Sequence, residues 1–364
     1  MQLHPLYKRH FGQILSFGII WLFFGLTYVM IEYGLLGTLT LYPVTGSLYS
    51  PKNSLIMVCV GGFLMGLIQG SVEIFWLKKY FTHTSFWIKI LFKSIFYLFF
   101  VVTCIILLSL INNAYLYKTS IFDPIVIDNL LVFMNKFVFW SVIIYIGIIL
   151  DIALFYSEIK DYLGKNVLSN YLGKYHKPKQ ETRIFMFLDM KSSTTIAENL
   201  GHKKYFELLK TYYADMTNAI LETSGEVYQY VGDEIVITWK ETSGIYRNNC
   251  IHCFRKISEG LDKKRNKYIE QFGLVPEFKA GYHIGMVTTG EIGIIKKDLI
   301  YTGDILNTSA RIQEECNNFN SKVLISEDLS LKLKADNRFS SIKVENLLLR
   351  GKKQPIQLYQ VAFN

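Results

Sequence analysis

The sequence predicts two architectures in series, an α-helical bundle of four transmembrane spans followed by an α+β domain of ferredoxin-like, palm-like order. Three observations predict it. Of the 364 residues, 51% are hydrophobic and 15% aromatic, too apolar for a soluble chain of this size. The excess falls before Phe155, in four runs of spanning length. Beyond it, short apolar strands alternate with amphipathic helices, and two of the strands end in a carboxylate.

The four spans are Ile14 to Leu36, Leu55 to Leu77, Ile88 to Ile111 and Leu130 to Phe155. Each approaches or exceeds the ~20 residues a helix needs to cross the hydrocarbon core. The first is too long, and lacks the small-residue site, to be a cleaved signal. Lys8 and Arg9 precede span one, Lys78, Lys79 and Lys89 lie between spans two and three, and Lys160, Lys165 and Lys174 follow span four. The other two connections carry only Lys52 and Lys118. This asymmetry predicts a multi-pass protein of the inner membrane with both termini cytoplasmic. The outer loops, Gly37 to Asn53 and Asn112 to Asn129, are too short for a folded sensor, so an unknown membrane or extracellular ligand would have to act on the spans or the loops themselves.

Glu73, Asp151, Lys89 and Lys93 fall at one level near the cytoplasmic ends of the spans. Charges in lipid are expensive, so they pair, snorkel or serve a function. Two readings follow: side chains snorkelling to headgroups, or an ion-pair layer that couples span movement to the domain beyond. The net charge of +9 is spread along the chain: nine basic and five acidic residues up to Phe155, 30 and 25 after it. That spread, with no aromatic-interleaved basic run, suits an anionic leaflet and predicts no nucleic-acid partner. Cys59 and Cys104 lie in spans, and Cys250, Cys253 and Cys316 belong to the half expected in the reducing cytoplasm. Cys250-Ile-His-Cys253 resembles half of a zinc site, but without a second pair it reads as ordinary helix.

Residues 1–155 therefore read as the membrane domain, 156–182 as a helical connector and 183–364 as the α+β domain. In the connector, Ile159, Leu163, Val167 and Leu168 fall at helical spacing before Gly173, and Pro178 marks the boundary. A relay and a passive tether are equally compatible with it. Beyond come a strand at 184–188, a helix from Thr194 to Ser224 with Phe206, Leu209 and Tyr213 on one face, and a hairpin about Asp233. A helix from Gly244 to Phe272, a strand pair over Tyr282 to Ile295 and a helix from Asp304 to Phe319 follow. Strand, helix, two strands, helix, strand is the ferredoxin-like order.

The chemistry concentrates in three blocks. Ile184 to Thr195, IFMFLDMKSSTT, is a buried strand that runs into Asp189 and then a small, hydroxyl-rich turn. There the backbone N–H groups between Met190 and Thr194 suit a phosphate. In GEVYQYVGDEIVITW, Val227 to Val231 and Ile235 to Trp239 are strands about a tight Gly232-Asp233 turn. Two strand-borne carboxylates suit divalent metal beside a triphosphate. The third block, Gly281 to Ile312, reads GYHIGMVTTGEIGIIKKDLIYTGDILNTSARI. Its Asn307 and Arg311, four apart, project from one helix face.

Together, in order and spacing, the blocks resemble the class III nucleotidyl cyclase catalytic domain over about residues 180 to 363. The resemblance implies attack of a ribose 3′-oxygen on the α-phosphorus with pyrophosphate leaving. Asp189, Asp233 and the Met190 backbone carbonyl match the metal-binding positions, with two Mg²⁺ or Mn²⁺ ions per site. Lys191, Ser192, Ser193, Thr194 and Gly232 fall where the substrate phosphates lie. Asn307 matches the residue that orients the ribose, and Arg311 the one that meets the α-phosphate charge. In LLLRGKKQPIQLY, Arg350 and, second, Lys352 are the basic residues implied for the triphosphate. Because the family divides these sets between two chains and this chain carries both, a head-to-tail homodimer is implied.

Two positions depart from the family pattern. Gln229 stands where many adenylyl cyclases carry a Lys that contacts the base, and Ile300 where they carry Asp or Thr. Guanylyl cyclases use Glu and Cys there. The resemblance otherwise favours ATP and an adenylyl cyclase. A guanylyl cyclase, or a silent nucleotide-binding membrane receptor, is the alternative. VGDEI is also similar to the Gly-Gly-Asp-Glu-Phe motif of diguanylate cyclases, which have no place for the Asn307/Arg311 block.

Overall fold

The computed structural model describes residues 5–43, 48–81, 84–163, 175, 177–295, 297–352 and 354–364. The chain divides into two compact units, with the boundary between Gly164 and Lys165.

In the first unit, helix α1 (Pro5–Leu36) is followed by α2 (Pro51–Val72), which continues through a π-helical turn at Glu73–Leu77 and on to Lys78–Tyr80. Then come α3 (Phe86–Tyr117), a short α4 (Pro124–Met134) and α5 (Phe137–Leu163). Four stretches are long and apolar enough to cross a membrane: Tyr7–Leu36, Pro51–Leu77, Phe86–Tyr117 and Phe137–Lys160. The fourth begins later than the sequence suggests. Asp123 caps α4 by accepting from the Ile125 N–H at 3.0 Å, and Pro124 fits its first turn. The apolar run there forms an 11-residue helix of its own, and the polar Asn135-Lys136 pair turns the chain before α5. Helix α5 runs into the expected connector as far as Leu163, whereas Val167, Leu168 and Gly173 lie outside the described residues.

Helices α1 and α2 meet through small residues, since a Cβ on Gly66 would stand 2.7 Å from the Phe17 carbonyl oxygen. In lipid such close backbone approach replaces the hydrophobic drive as the source of association. Toward the Glu73 end the bundle holds a buried polar network. Lys93, 1% exposed, donates to Glu73 and, at 2.7 Å, to Glu158. Lys89 stands 3.8 Å from Glu158. Tyr97 donates to Glu73 at 3.3 Å, and Trp21 to Gln69 at 2.7 Å. Of the four residues named in the sequence, Glu73, Lys89 and Lys93 join ion pairs rather than all reaching out singly, with Glu158 as the further carboxylate, whereas Asp151 is exposed and accepts from the Ser94 hydroxyl. Asp151 and Glu158, seven residues apart, project from nearly the same face about 10 Å apart along the helix.

The second unit is built on an eight-stranded sheet. Its elements in order are β1 (Lys179–Met190), α6 (Ser193–Leu200), α7 (His202–Glu222), β2 (Glu226–Val231), β3 (Glu234–Lys240), α8 (Glu241–Ile245), α9 (Asn249–Asp262) and α10 (Arg265–Phe272). There follow β4 (Phe278–Ile292), β5 (Asp298–Thr302), α11 (Asp304–Glu315), β6 (Val323–Ser326), α12 (Glu327–Ser330), β7 (Phe339–Leu347) and β8 (Ile356–Phe363). The strand order is β2-β3-β1-β4-β6-β8-β7, with β5 on the far half of β4. The β4-β1-β3-β2 part, with α7 and α9 between its strands in sequence, is the ferredoxin-like core.

The alternation of β1 separates two layers. Ile184, Met186, Leu188 and Met190 enter the main core with Leu208, Tyr212 and Met216 of α7 and Phe254 and Ile257 of α9. Phe185 and Phe187 face the other way, onto Val287, Tyr301 and Ile305 at the start of α11. On α7 the buried stripe is Leu208, Tyr212 and Met216, while Phe206 is 68% exposed, so the helix is rotated by about one position from the expected face. Gly201, at φ +74, splits the predicted Thr194–Ser224 helix into α6 and α7. Positive φ at Arg247 and Asn248 similarly divides the predicted Gly244–Phe272 helix. Cys250 and Cys253 lie wholly in the core, where burial pushes both thiols up to about 12.

Candidate active site

Asp189 is the next residue after Phe187 on the α11 side of β1, so the pleat that buries the phenylalanines also points this carboxylate toward α11. In the antiparallel register Leu188 pairs with Ile235 on β3, and Asp189 with Lys279 on β4. The β2–β3 turn, Gly232-Asp233, therefore falls just beyond the end of β1. Gly232 takes φ +62, which the tight turn requires, and Tyr213 of α7 fixes it by donating to the Gly232 carbonyl at 2.8 Å. The result is Asp233 within hydrogen-bonding reach of Asp189.

Burial, and then the neighbouring Asp233, push the Asp189 carboxyl up to about 6. Lys279, with Nζ 3.8 Å from Oδ2, and Gln313, whose Nε2 donates to Oδ2 at 3.1 Å, act in the opposite direction. Glu234 is driven to about 7 by burial and by Asp189, Asp233 and Glu314. Asp189, Asp233 and Glu234, crowded at one strand end with Lys279 beside them, make a strongly electronegative spot. Among the described residues no group of three or more His, Cys, Asp and Glu side chains is disposed to enclose a metal ion. Two carboxylates with an open side instead suit an ion such as Mg²⁺, which keeps most of its sphere for phosphate and water. Two carboxylates this close repel one another unless a cation lies between them, so the residues fit a divalent metal. Met190 buries its side chain and can take part only through its backbone.

The rest of the predicted set divides. Ser192 adopts φ 57 as α6 begins at Ser193, leaving first-turn N–H groups near the carboxylates without intrahelical acceptors. The Lys191 N–H is taken by the Glu277 carbonyl at 2.8 Å, and its ammonium lies 3.4 Å from the Glu277 carboxylate. Asn307 is exposed on α11, and Arg311 donates to both Glu314 carboxylate oxygens at 2.8 Å. With 3.6 residues per turn, Asn307 projects roughly 120° and Arg311 roughly 160° away from Gln313, the residue of the same helix that touches Asp189. Gln229 is exposed on β2 and Ile300 half-buried on β5. Their neighbours Tyr228 and Tyr301 meet with ring centroids 5.0 Å apart, but Ile300 pairs with Gly290, at the opposite end of β4 from the Lys279 that pairs with Asp189. Arg350 is exposed in the β7–β8 turn, and Lys352 is bound to Asp304. Asp304 is nine residues, about 13 Å, along α11 from Gln313. One chain thus assembles Asp189, Asp233, the α6 start and Gly232, and holds Asn307, Arg311, Arg350, Lys352 and Ile300 elsewhere.

Residues not singled out in the sequence complete the carboxylate end. Lys279 needs the β1–β4 register to be found. Gln313 needs Gly281, where a Cβ would stand 2.2 Å from the Gln313 backbone nitrogen, so that only glycine lets α11 lie on β4 at this point.

Residues 175–362 match the model of the adenylate and guanylate cyclase catalytic domain. The chain belongs to that family. Adenylate cyclase 2 of Rhizobium meliloti (strain 1021) is 36% identical over 182 residues, which cover 50% of this chain and 50% of that protein. An adenylate cyclase of Anabaena cylindrica is 26% identical over 183 residues, 48% of this chain and 36% of that one. The cyclase chain thus spans half or less of the length of the curated relatives it matches. In fold it is similar to a bacterial light-regulated adenylyl cyclase, with a TM-score of 0.52 at 18% identity, over 62% of this chain and 66% of the other.

Proposed function

We propose that the chain is a membrane-anchored adenylyl cyclase that converts ATP to 3′,5′-cyclic AMP and pyrophosphate at two equivalent sites of a head-to-tail homodimer. The observation that carries this reading is the opposed geometry of α11. Gln313 engages the chain's own Asp189, while Asn307 and Arg311 face away from it and are complete only against a second copy's carboxylates. The names of the curated relatives support ATP as substrate. A guanylyl cyclase is the second reading, because Gln229 and Ile300 are the donor and wall expected of neither nucleotide.

In this reading Asp189, Asp233 and the Met190 carbonyl hold Mg²⁺ or Mn²⁺, whose chemistry is to acidify the ribose 3′-hydroxyl and neutralise triphosphate charge. Gln313 and Lys279 fix the Asp189 carboxylate, and Tyr213 fixes the turn that presents Asp233. The α6 start, with Lys191, Ser192, Ser193 and Thr194, receives the β- and γ-phosphates with N–H and hydroxyl donors. The second chain's Asn307 orients the ribose, and its Arg311 exchanges Glu314 for the charge that develops on the α-phosphate. Arg350 meets the triphosphate, and Lys352 joins it only after leaving Asp304. The 3′-oxygen bonds to the α-phosphorus, the bond to the β-phosphate breaks, and pyrophosphate leaves. The hydroxyl proton passes to solvent.

Lys and Arg placement supports an inner-membrane protein with both termini cytoplasmic, on the side where ATP is found. Residues 1–155 form the anchor and residues 156–182 the connection through which the anchor regulates residues 183–364. The test uses full-length protein in nanodiscs with Mn²⁺ and either ATP or GTP, with cyclic products identified by mass. Cyclic AMP that is abolished in Asp233→Ala supports the proposal. Cyclic GMP alone would transfer it to the second reading, and no product from a folded dimer with bound nucleotide would point to a silent receptor.

A further inference from the structure

Gln229 and Ile300, the two positions that depart from the family pattern, both lie on strands held from one side. Among the described residues β2 pairs with β3 alone and β5 with β4 alone. A strand held by one ladder opens and shifts more readily than one held by two. Some other contact is therefore needed if these two positions are to keep a fixed separation.

Side chains on the α11 face of the sheet supply it. The β2 ladder shifts register between Val227 and Gln229, a bulge that brings Tyr228 to the same face as Phe185. Gln229 pairs with Val236, which belongs to that layer as well. The Tyr228 ring meets Tyr301 of β5 at 5.0 Å and Phe185 of β1 at 6.2 Å, and Phe185 meets Tyr301 at 5.4 Å. Against these rings lies a buried cation. Arg183, two residues before Phe185 on β1, is only 2% exposed. Its guanidinium carbon stands 4.7 Å from the centre of the Tyr301 ring. Its Nε donates to Glu181 at 2.7 Å and its Nη1 to Glu226 of β2 at 3.0 Å. Glu181 also accepts from the Thr289 hydroxyl at 3.0 Å, and Thr289 is the β4 residue opposite Tyr301. One guanidinium thus binds groups of β1, β2 and β5 at once.

For stability alone such a network is a poor choice, because apolar residues of similar volume often serve a core as well or better. What it does fix is geometry. A planar fork held by two carboxylates and stacked on a ring has few alternative arrangements.

We infer that Arg183, with Tyr228 and Tyr301, is the positioning set for purine choice: it fixes Gln229, which follows Tyr228, relative to Ile300, which precedes Tyr301. The inference rests on the nucleotide-binding reading proposed above, and it gives Arg183 no contact with substrate. A site that tells one purine from another by hydrogen bonds loses that power when its groups shift by about 1 Å. Arg183 lies six residues, roughly 20 Å, along β1 from Asp189, so the set acts apart from the chain's own carboxylate pair.

The experiment measures binding of 3′-deoxy-ATP and 3′-deoxy-GTP, which lack the attacking hydroxyl, to full-length protein in nanodiscs with Mn²⁺. The readout is the ratio of the two dissociation constants, which does not depend on turnover. Wild type should prefer one purine. In Arg183→Met the ratio should fall about fivefold or more toward one, while the affinity for Mn²⁺ without nucleotide stays within about twofold of wild type. Should Arg183→Met fail to fold, Tyr228→Ala must show the same fall. A merely structural role would weaken both nucleotides equally and leave the ratio where it was. An unchanged ratio in the folded variant, or a wild-type ratio near one, overturns the inference while leaving the nucleotide reading intact. A wild-type preference for guanine that Arg183→Met abolishes would sustain the inference and count against ATP as substrate. Failure of wild type to bind either nucleotide would remove the nucleotide reading and the inference together.

Discussion

The carboxylate pair makes a quantitative prediction about metal binding and pH. With the Asp189 carboxyl held at about 6, its ionised fraction is ~0.97 at pH 7.5 and ~0.09 at pH 5, whereas an ordinary aspartate near ~3.9 would still be ~0.93 ionised at pH 5. A divalent ion needs the ionised form, so its binding releases a proton below about pH 6. The sign follows from the direction of the shift. A raised carboxyl is neutral below its pKa, so affinity approaches its full value above about pH 7 and declines as pH falls through about 6. The apparent Kd for Mn²⁺ should therefore weaken about tenfold, or ~1.4 kcal/mol, between pH 7.5 and pH 5. Glu234, at about 7, adds negative charge as it ionises and should carry a smaller rise in affinity on toward pH 8. Free Mn²⁺ is read by electron paramagnetic resonance with the full-length protein in nanodiscs and no nucleotide present. Gln313→Leu removes a donor that favours ionised Asp189, so it should move the inflection to higher pH. Affinity constant within twofold from pH 5 to pH 7.5 would refute the assignment of Asp189 as a crowded, half-buried metal ligand.

Two further predictions concern assembly and the membrane unit. Coexpression of Asp233→Ala with Arg311→Ala in equal amounts should restore about a quarter of wild-type cyclase activity, since half of the dimers are mixed and each mixed dimer has one intact site. Each variant alone should be inactive, and an inactive mixture of folded chains would count against a site shared between copies. In the bundle, Glu73→Gln leaves buried Lys93 with only Glu158, and should destabilise by about 3 kcal/mol or more. Asp151→Asn loses only an exposed contact with Ser94 and should cost less than ~1 kcal/mol. Unfolding in nanodiscs distinguishes them, and equal costs would contradict the buried ion-pair network.

Much of the molecule was legible in the sequence because it follows from local rules. Apolar runs of spanning length, the period-two strand at Ile184–Leu188 and the Gly232-Asp233 turn each depend on neighbours in the chain. So do the pairing of Asn307 with Arg311 on one face and the presence of both carboxylates. Boundaries were less legible where one residue's backbone decides them, as at Gly201 within the α6–α7 run and at Asn135-Lys136 before α5. Tertiary structure alone decided which groups meet. Asp151 and Glu158 occupy nearly one helix face, and only the packing of α5 against α3 selects Glu158 for Lys93. The β1–β4 register puts Lys279 beside Asp189, and the missing Cβ of Gly281 brings Gln313 to the same carboxylate. The physical reason is range. Hydrophobic period, turn chemistry and helical spacing act over a few residues and are written along the chain, whereas burial, register and the pairing of charges depend on segments that only folding brings together.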